Sequence, residues 1–294
     1  MDNIPNIWVS SFPFPNDFSH KYSRGQVGIL GGVEMSGAAC LAIDSAARIG
    51  AGLSTIISPS SDDIVKASGA VDPLLVYKTY KPYIIARSDI GIIEYANFAK
   101  EKGRVCIIIG SGLGNKNYKA VRSHILSLLE LDIFLVIDAD GINAFENHHD
   151  LLFSKLNSNV VLTPHEGEFK KLFPSLIEDL NKNRVIAAQK ASEMSGAVIV
   201  LKGHETVIAQ ADREVVINNN ASSYLATAGS GDVLAGMIAG LIAQGMEPFL
   251  GACAGVWIHG KASQNIGAGL VASDLVENIP NLLKEILGIH KKVG

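Results

Sequence analysis

Three small residues and a carboxylate, Gly229, Ser230, Gly231 and Asp232, stand directly before an apolar run over 233–243. If that run is a helix, unpaired backbone N–H groups and the positive end of its dipole lie at its start. Such a terminus binds anions, above all phosphate. A carboxylate there would repel the anion unless it acts as a base beside it. We therefore predict an anion hole formed by the two glycines and the serine, with Asp232 as the catalytic base.

The alternative for this stretch is a tight turn into a core helix, with Asp232 as a charge near the positive end of the dipole. Gly236 and Gly240 would let a neighbouring element approach the helix closely. Combined with the small residues before it, this pattern favours the anion site. Asp232 would take a proton from a hydroxyl while the backbone donors stabilise a transferring phosphoryl group.

Four other polar or glycine-rich stretches each follow a run that is typical of a buried strand. They are GSGLG over 110–114, DADGIN over 138–143, TPHEGE over 163–168 and KGHET over 202–206. Ligands of open α/β sheets bind beyond the carboxyl ends of the strands. We therefore predict that these stretches and Asp232 meet in one cleft.

Several of these stretches have a structural alternative. The glycines of 110–114 form neither a GxGxxG fingerprint nor a P-loop, so a plain strand-to-helix turn is equally open. Asp138 and Asp140 could hold a metal, or Asp138 could cap the following turn. Lys202 suits a phosphate, but a lysine at a strand end often only extends along apolar surface or pairs with an acid.

His165 and Glu168 lie three residues apart and would share one helix face if a helix begins there. One of them could contact a ligand, and the other a cation that phosphate oxygens hold. The alternative is a helix start with acidic residues at the positive end of the dipole.

A framework of parallel strands and covering helices would position these stretches. Apolar and β-branched runs predict strands at 26–30, 53–58, 105–109, 133–137, 160–162, 198–201, 206–210 and 214–218. Helical patterns predict helices at 36–50 with Ser36 as N-cap, and at 60–70, 90–100, 119–131, 183–196, 232–244, 248–267 and 273–287; 71–87 is ambiguous. We predict an α/β fold with a mostly parallel central sheet and helices on both faces, as a single domain over 1–294.

Composition excludes several classes of partner. The formal net charge of -4 gives no reason to expect nucleic acid or an anionic membrane. The apolar run over 233–243 is too short to span a bilayer, and residues 1–15 lack the pattern of a signal peptide. Cys40, Cys106 and Cys253 are widely spaced without a CxxC pair, which predicts reduced thiols and a cytoplasmic location.

Taken in order, the motifs resemble the ribokinase-like superfamily and, within it, the ADP/ATP-dependent NAD(P)H-hydrate dehydratases. Sugar and vitamin kinases of this superfamily usually have Asn-x-x-Glu after the Thr-Pro pair. Here His165 replaces that Asn, as in the dehydratases, and Glu168 remains. The chain departs from the family over 220–227 and at Ala228, where a glycine is common. The matching motifs are GQVG (25–28), GG (31–32), SGA (36–38), GSGLG (110–114), VIDAD (136–140), TPHEGE (163–168), LKG (201–203) and GSGD (229–232).

The resemblance implies a ribokinase-like fold and the repair of hydrated NADH and NADPH, in which a nucleoside phosphate drives the loss of water. The co-substrate would be ADP, with ATP as the alternative, and Mg²⁺ would act with the phosphates. Nucleotide contacts are expected at Lys202, Gly203, His204, Glu205, Thr206 and Gly231. The hydrated dinucleotide would contact Ala38, Gly112, His165 and Asp232, and Glu168 would face the metal through the phosphates.

Two other functions stay open, namely a kinase of a small alcohol such as a thiazole or pyrimidine vitamin precursor, and a nucleotide sensor without turnover. Larger family members carry an N-terminal epimerase domain, for which we expect no room in these 294 residues. Apolar helices near the C-terminus, including Trp257, would suit the interface of a homodimer or homotetramer; burial within the monomer is the alternative.

Overall fold

Nine strands form one sheet in the computed structural model, which describes residues 1–58, 72–114 and 116–293. Most of their residues are buried on both faces, which is why the sequence shows continuous apolar runs. In chain order the strands are β1 (Gln26–Leu30), β2 (Leu53–Ile57), β3 (Ile85–Arg87), β4 (Val105–Ile109), β5 (Phe134–Ile137), β6 (Val160–Leu162), β7 (Val198–Leu201), β8 (Thr206–Ala209) and β9 (Val216–Asn218).

The strand order is β3-β2-β1-β4-β5-β6-β7-β8-β9. Neighbouring strands from β3 to β7 pair in parallel, and β8 pairs antiparallel with both β7 and β9. The predicted mostly parallel sheet is confirmed. Since β2 and β3 lie on one side of β1 and the later strands on the other, the winding of the sheet reverses between β1 and β4. Open α/β sheets bind ligands at such a reversal.

Helices cover both faces of the sheet, as predicted. Side chains alternate along each strand, so Ile108 of β4 packs into one core while Ile107 and Ile109 pack into the other. The first core contains α1 (Ser36–Arg48), α2 (Pro73–Tyr80), α10 (Ser230–Ala243), α11 (Pro248–Ile266) and α12 (Ala272–Val293). The second contains α3 (Ile92–Lys102), α4 (Tyr118–Leu129), α5 (Asp140–Asn143), α6 (His149–Phe153), α7 (Glu166–Leu172), α8 (Ile177–Lys182) and α9 (Arg184–Ser195).

The glycines of α10 let it pack directly on the backbone of α1. A methyl group at Gly236 would lie 1.9 Å from the carbonyl oxygen of Ala42. The hydroxyl of Ser45 donates to the carbonyl oxygen of Val233 at 2.8 Å, which adds a polar tie between the same two helices. The close approach predicted from the glycine spacing is therefore present, and it fixes the start of α10 relative to α1.

Most predicted helix starts were wrong by a residue or two, and two of these differences bear on the site. Met35, not Ser36, is the N-cap of α1, and no side chain caps that helix. α10 begins at Ser230 rather than Asp232, because Gly229 turns the chain into the helix from a left-handed conformation.

The ambiguous segment 71–87 contains both a helix, α2, and a strand, β3. The helix predicted over 60–70 lies outside the described residues. Trp257 packs against Trp8, with ring centroids 5.7 Å apart, so part of its surface is covered within the same chain. No described helix has both the length and the apolar character needed to span a bilayer.

Candidate active site

The start of α10 presents free backbone donors. Gly229 caps the helix with a φ of 86°, which favours glycine. The N–H groups of Gly229, Gly231 and Asp232 meet no acceptor within the described residues, whereas the amide of Ser230 lies 3.4 Å from the carbonyl oxygen of Thr227. Among the described residues, the free N–H groups of the predicted anion hole are therefore those of Gly229 and Gly231, and Asp232 adds a third donor in the first turn of the helix, as a phosphate site requires.

Asp232 is half-buried in the first turn of α10 and has the pKa of a general base. Burial raises the pKa of Asp232 from 3.8 to about 6; Ser111 and Lys202 lower it, and Asp138 and Asp140 raise it. The carboxyl is therefore ionised at neutral pH and is a stronger base than an ordinary aspartate. Such a group can accept a proton from a hydroxyl.

Lys202, at the end of β7, joins two buried carboxylates. Its Nζ lies 2.7 Å from Oδ1 of Asp138 and 3.9 Å from Oε2 of Glu168. Burial lowers the pKa of Lys202, but the charges of Asp138 and Glu168 outweigh burial and leave the pKa raised. A methyl group at Gly231 would lie 3.4 Å from the same Nζ, so the ammonium stands beside the helix terminus.

Glu168 is almost completely buried next to this lysine. Burial raises its pKa, Lys202 lowers it, and the charge of Asp138 raises it further. Asp232 adds a third carboxylate near the same ammonium. Negative charge exceeds positive charge in this cluster, which therefore favours a bound cation.

His165 begins α7 and forms a reciprocal pair of caps with Glu168. Nδ1 of His165 accepts from the amide of Glu168 at 3.1 Å, and Oε2 of Glu168 accepts from the amide of His165 at 2.8 Å. The alternative considered for this stretch, a helix start with acidic residues at the positive end of the dipole, thus describes the local geometry. The imidazole is 59% exposed, however, so its outer edge is open to a ligand.

The glycine turns after β1 and β4 meet at the reversal point of the sheet. A methyl group at Gly32 would lie 1.7 Å from the carbonyl oxygen of Gly112. One at Gly112 would lie 3.0 Å from Cβ of Ala38, in the first turn of α1. Gly110 approaches the carbonyl oxygen of Asp138 equally closely. Ala38 and Gly112 are therefore neighbours, and the 110–114 turn links them to the Asp138 cluster.

Two cavities lie beside Lys202, and neither is lined by the Ala38 and Gly112 pair at the reversal point. One, of about 380 Å³, is bounded by the 203–206 turn, the 221–226 loop, the first turn of α10 and one face of α11. The other, of about 570 Å³, lies between the His165 turn, Arg184 and the 202–205 turn. Both are lined by Lys202, Gly203 and His204, whereas Thr206 and Gly231 line only the first and Glu205 only the second. The walls of these two cavities do not include Asp232, Ala38 or Gly112.

Asp138 and Asp140 turn to different partners. Asp138 pairs with Lys202, whereas Oδ2 of Asp140 accepts from the amide of Gly114 at 2.8 Å and so holds the glycine turn. Across the described ranges, no three His, Cys, Asp or Glu side chains are grouped so that they could hold a metal ion by themselves. A cation at this cluster would need oxygen ligands from a bound phosphate or from water.

A family model described as NAD(P)H-hydrate dehydratase matches residues 27–283. The chain belongs to this family. The resemblance read from the motifs is confirmed.

Relatives with curated names are NAD(P)H-hydrate dehydratases or repair enzymes. The ADP-dependent (S)-NAD(P)H-hydrate dehydratase of Neisseria meningitidis is 32% identical over 267 residues, which are 87% of this chain and 84% of that protein. A bifunctional NAD(P)H-hydrate repair enzyme of Salinibacter ruber is 36% identical over 286 residues, 94% of this chain but 51% of the relative. The chain therefore spans about half the length of that bifunctional relative.

Solved structures give the same family and fold. The ADP/ATP-dependent NAD(P)H-hydrate dehydratase of Bacillus subtilis, co-crystallised with ATP/Mg²⁺, has a TM-score of 0.76 at 26% identity, over 97% of this chain and 98% of that one. A ribokinase-like superfamily protein of Enterococcus faecalis has a TM-score of 0.76 at 25% identity, over 96% and 95%. A hydroxyethylthiazole kinase of Pyrococcus horikoshii, at 13% identity, shares the fold with a TM-score of 0.60 over 88% and 89%. The predicted ribokinase-like fold is confirmed.

Three residues of this candidate site were missed by sequence reasoning. Ser111 is fully buried, and its hydroxyl lowers the pKa of Asp232. Arg184 donates from Nη2 to the carbonyl oxygen of Lys202 at 3.0 Å and so holds the 202–205 turn. His259 contacts the backbone of Ser230 from α11. Only Ser111 lay in one of the motifs identified from the sequence. Neither Arg184 nor His259 belongs to a sequence pattern that would connect it to the site.

The stretch that departs from the family pattern, 220–228, forms one wall of the smaller cavity. It contains a short 3-10 turn, Ser223–Leu225. The hydroxyl of Ser230 donates to the carbonyl oxygen of Leu225 at 2.8 Å, and the side chain of Asn220 donates to the carbonyl oxygen of Trp257 at 3.0 Å. This stretch is thus tied to both α10 and α11, although it lacks the usual glycines.

Proposed function

We propose that this chain dehydrates (S)-hydrates of NADH and NADPH with ADP as phosphoryl donor, releasing AMP and phosphate. The observation that carries the proposal is the position of Asp232, a half-buried carboxyl with a raised pKa beside free backbone donors and the Lys202 ammonium. Membership in the dehydratase family and the ADP-dependent relative from Neisseria meningitidis support the choice of substrates. ATP is the alternative donor.

In the proposed reaction, Asp232 takes the proton of the ring hydroxyl as that oxygen attacks the terminal phosphorus of ADP. The bond from this phosphorus to the bridging oxygen breaks, and AMP leaves with the electron pair. The phosphate ester then leaves the ring as inorganic phosphate, driven by the lone pair of the ring nitrogen. Loss of a proton from the neighbouring carbon gives NADH. The backbone N–H groups of Gly229, Gly231 and Asp232 would stabilise the transferring phosphoryl group, because the amide of Ser230 is already bonded to Thr227.

The two sides of Lys202 suit the two substrates. On one side, the 202–206 turn and Gly231 would contact the nucleotide, because together they line the two cavities beside Lys202. On the other side, Ala38, Gly112 and Asp232 would contact the hydrated ring at the reversal point of the sheet. His165 would reach the dinucleotide through its exposed edge.

Mg²⁺ fits this site as an ion shared with the phosphates. The donor set consists of carboxylate oxygens, the ligands this ion prefers, and among the residues that the structure describes too few protein groups converge to form a cage. Glu168 would face the ion through the phosphates. When bound, Mg²⁺ would neutralise charge on the phosphate oxygens, while Glu168 remains fixed by its cap with His165 and its contact with Lys202.

Nucleotide turnover tests the proposed function against a kinase. We expect ADP consumption and recovery of NADH absorbance only when hydrated NADH is supplied. A stable phosphorylated product from a thiazole or pyrimidine alcohol, with hydrated NADH inert, would identify a kinase instead. Nucleotide binding without any turnover would identify a sensor.

We further propose a homo-oligomer, dimer or tetramer, that works in the reducing cytoplasm. Apolar side chains that one chain leaves exposed, such as Phe18, Leu75 and Val271, support an assembly. The cysteines Cys40 and Cys253 are both free and buried, which suits a reducing compartment. Light scattering coupled to size exclusion tests the assembly, and a monomeric mass would contradict it.

A further inference from the structure

His259 of α11 stands directly behind the peptide group that supplies the anion hole. Its side chain is only 7% exposed, and Nε2 lies 2.9 Å from the carbonyl oxygen of Ser230. A carbonyl oxygen can only accept a hydrogen bond, so Nε2 carries the proton. Burial lowers the pKa of His259 to about 4; the bond to Ser230 raises it and the charge of Lys202 lowers it. The ring is therefore neutral at neutral pH.

The carbonyl that His259 contacts and the free N–H of Gly231 belong to the same peptide group. Donation to the carbonyl oxygen of an amide polarises the amide and strengthens its N–H as a donor. The bond also fixes the plane of that peptide.

We propose that His259 is a positioning residue for phosphoryl transfer, which orients and polarises the Ser230–Gly231 peptide toward the charge that develops on the transferring group. This inference rests on the proposed function, and it assigns to His259 no contact with the reacting atoms. Since α11 also walls the nucleotide cavity, simple support of nucleotide binding is the competing role.

Two variants separate these roles. H259L puts an apolar side chain of comparable bulk in place of the imidazole and removes the donor, whereas H259Q keeps an N–H donor at the end of the side chain. For H259L we expect kcat to fall about tenfold to a hundredfold, less than the loss of an anion-hole donor itself, with the KM for ADP changed by less than about threefold. H259Q should recover most of kcat. H290L, which removes a histidine of α12 that also contacts a backbone carbonyl oxygen, that of Val9, is the matched control and should retain full activity.

A binding measurement makes the test independent of hydrate turnover. Fluoroaluminate imitates a transferring phosphoryl group, so we expect it to bind the AMP complex of H259L about tenfold more weakly than that of the unchanged protein, with AMP affinity preserved. Equal fluoroaluminate binding in both proteins, or a KM effect without a kcat effect, would overturn the proposal. So would H259Q losing as much kcat as H259L. If the unchanged protein recovers no NADH from its hydrate, the proposed function fails, while the fluoroaluminate comparison still tests His259.

Discussion

The two sides of Lys202 are built differently. On the side of the base, Ser111, Asp138 and Glu168 are all less than 5% exposed, and each sits at the end of a strand or in the first turn of a helix. On the nucleotide side, the 203–205 turn and much of 221–228 are exposed loop. The groups proposed for the chemical step are therefore preorganised by the sheet, whereas nucleotide contacts depend on loops. Substitutions on the first side should act on kcat, and those on the second on KM.

The largest effect is expected for D232N. Removing the base should lower kcat by about a hundredfold to ten-thousandfold while AMP and ADP still bind. Since the pKa of Asp232 is raised in the folded state, ionisation of this carboxyl destabilises the fold progressively as the pH rises from 3.8, and fully above pH 6. D232N should therefore raise the free energy of unfolding by about 1–2 kcal/mol at pH 8, and the difference should vanish below pH 3.8.

The remote D212N exchange, in a turn where the left-handed backbone also suits asparagine, is the matched control for D232N and should change neither quantity. Full turnover by D232N would contradict the assignment of the chemical step to the preorganised side of Lys202, because that side would then contain no base.

K202M should impair both sides at once. It leaves Asp138 and Glu168 buried without their cation, which should cost about 3 kcal/mol of unfolding free energy at pH 8. It should also lower kcat and raise the KM for ADP. The exposed pair Lys190–Asp179 provides the control, since K190M should cost less than about 1 kcal/mol. Denaturant titration checks stability, and a K202M as stable as K190M would show that the buried network is not what orders this region.

S230A tests the nucleotide side of Lys202. It removes the hydrogen bond that ties the 220–228 stretch to α10. A lost neutral hydrogen bond is worth about 1 kcal/mol, so we expect the KM for ADP to rise about fivefold with little change in kcat. Steady-state kinetics with varied ADP gives both values. A fall in kcat at constant KM would place the serine on the chemical side instead.

The smallest effect is expected for S111A, which acts on the base without removing it. The hydroxyl of Ser111 lowers the pKa of Asp232. Without it, that pKa should rise, and the acid limb of kcat/KM, expected near pH 6, should move to higher pH. Activity well above the limb should be nearly unchanged. A limb that moves to lower pH would contradict the assignment of Asp232 as the group that must be ionised.

Much of the framework could be predicted from the sequence because strong local patterns encode it. β1, β4, β6 and β7 have the predicted bounds, since each is a mostly apolar run that ends at a glycine or polar turn. Helix starts were less accurate, as at Ser230, because a glycine in the left-handed region has no distinctive sequence signal. The single-domain organisation remains a prediction.

The site could be predicted only as a set of strand ends. The sequence suggested that the Lys202, Asp138 and Glu168 stretches converge, but not that one ammonium joins both carboxylates, because 64 residues separate Lys202 from Asp138. His259 escaped notice for the same reason, since its partner, Ser230, is 29 residues away on another helix. Pairings of this kind depend on how the helices pack, which no local pattern specifies.

The fate of the hydroxyl oxygen tests the central claim most directly. Hydrated NADH prepared in water enriched in the heavy isotope of oxygen carries that isotope in the ring hydroxyl. The phosphate released during turnover with ADP can then be analysed by mass spectrometry. If Asp232 activates that hydroxyl to attack ADP, the inorganic phosphate will contain one heavy oxygen for each NADH recovered. Unlabelled phosphate, with the heavy oxygen released into water, would contradict the account.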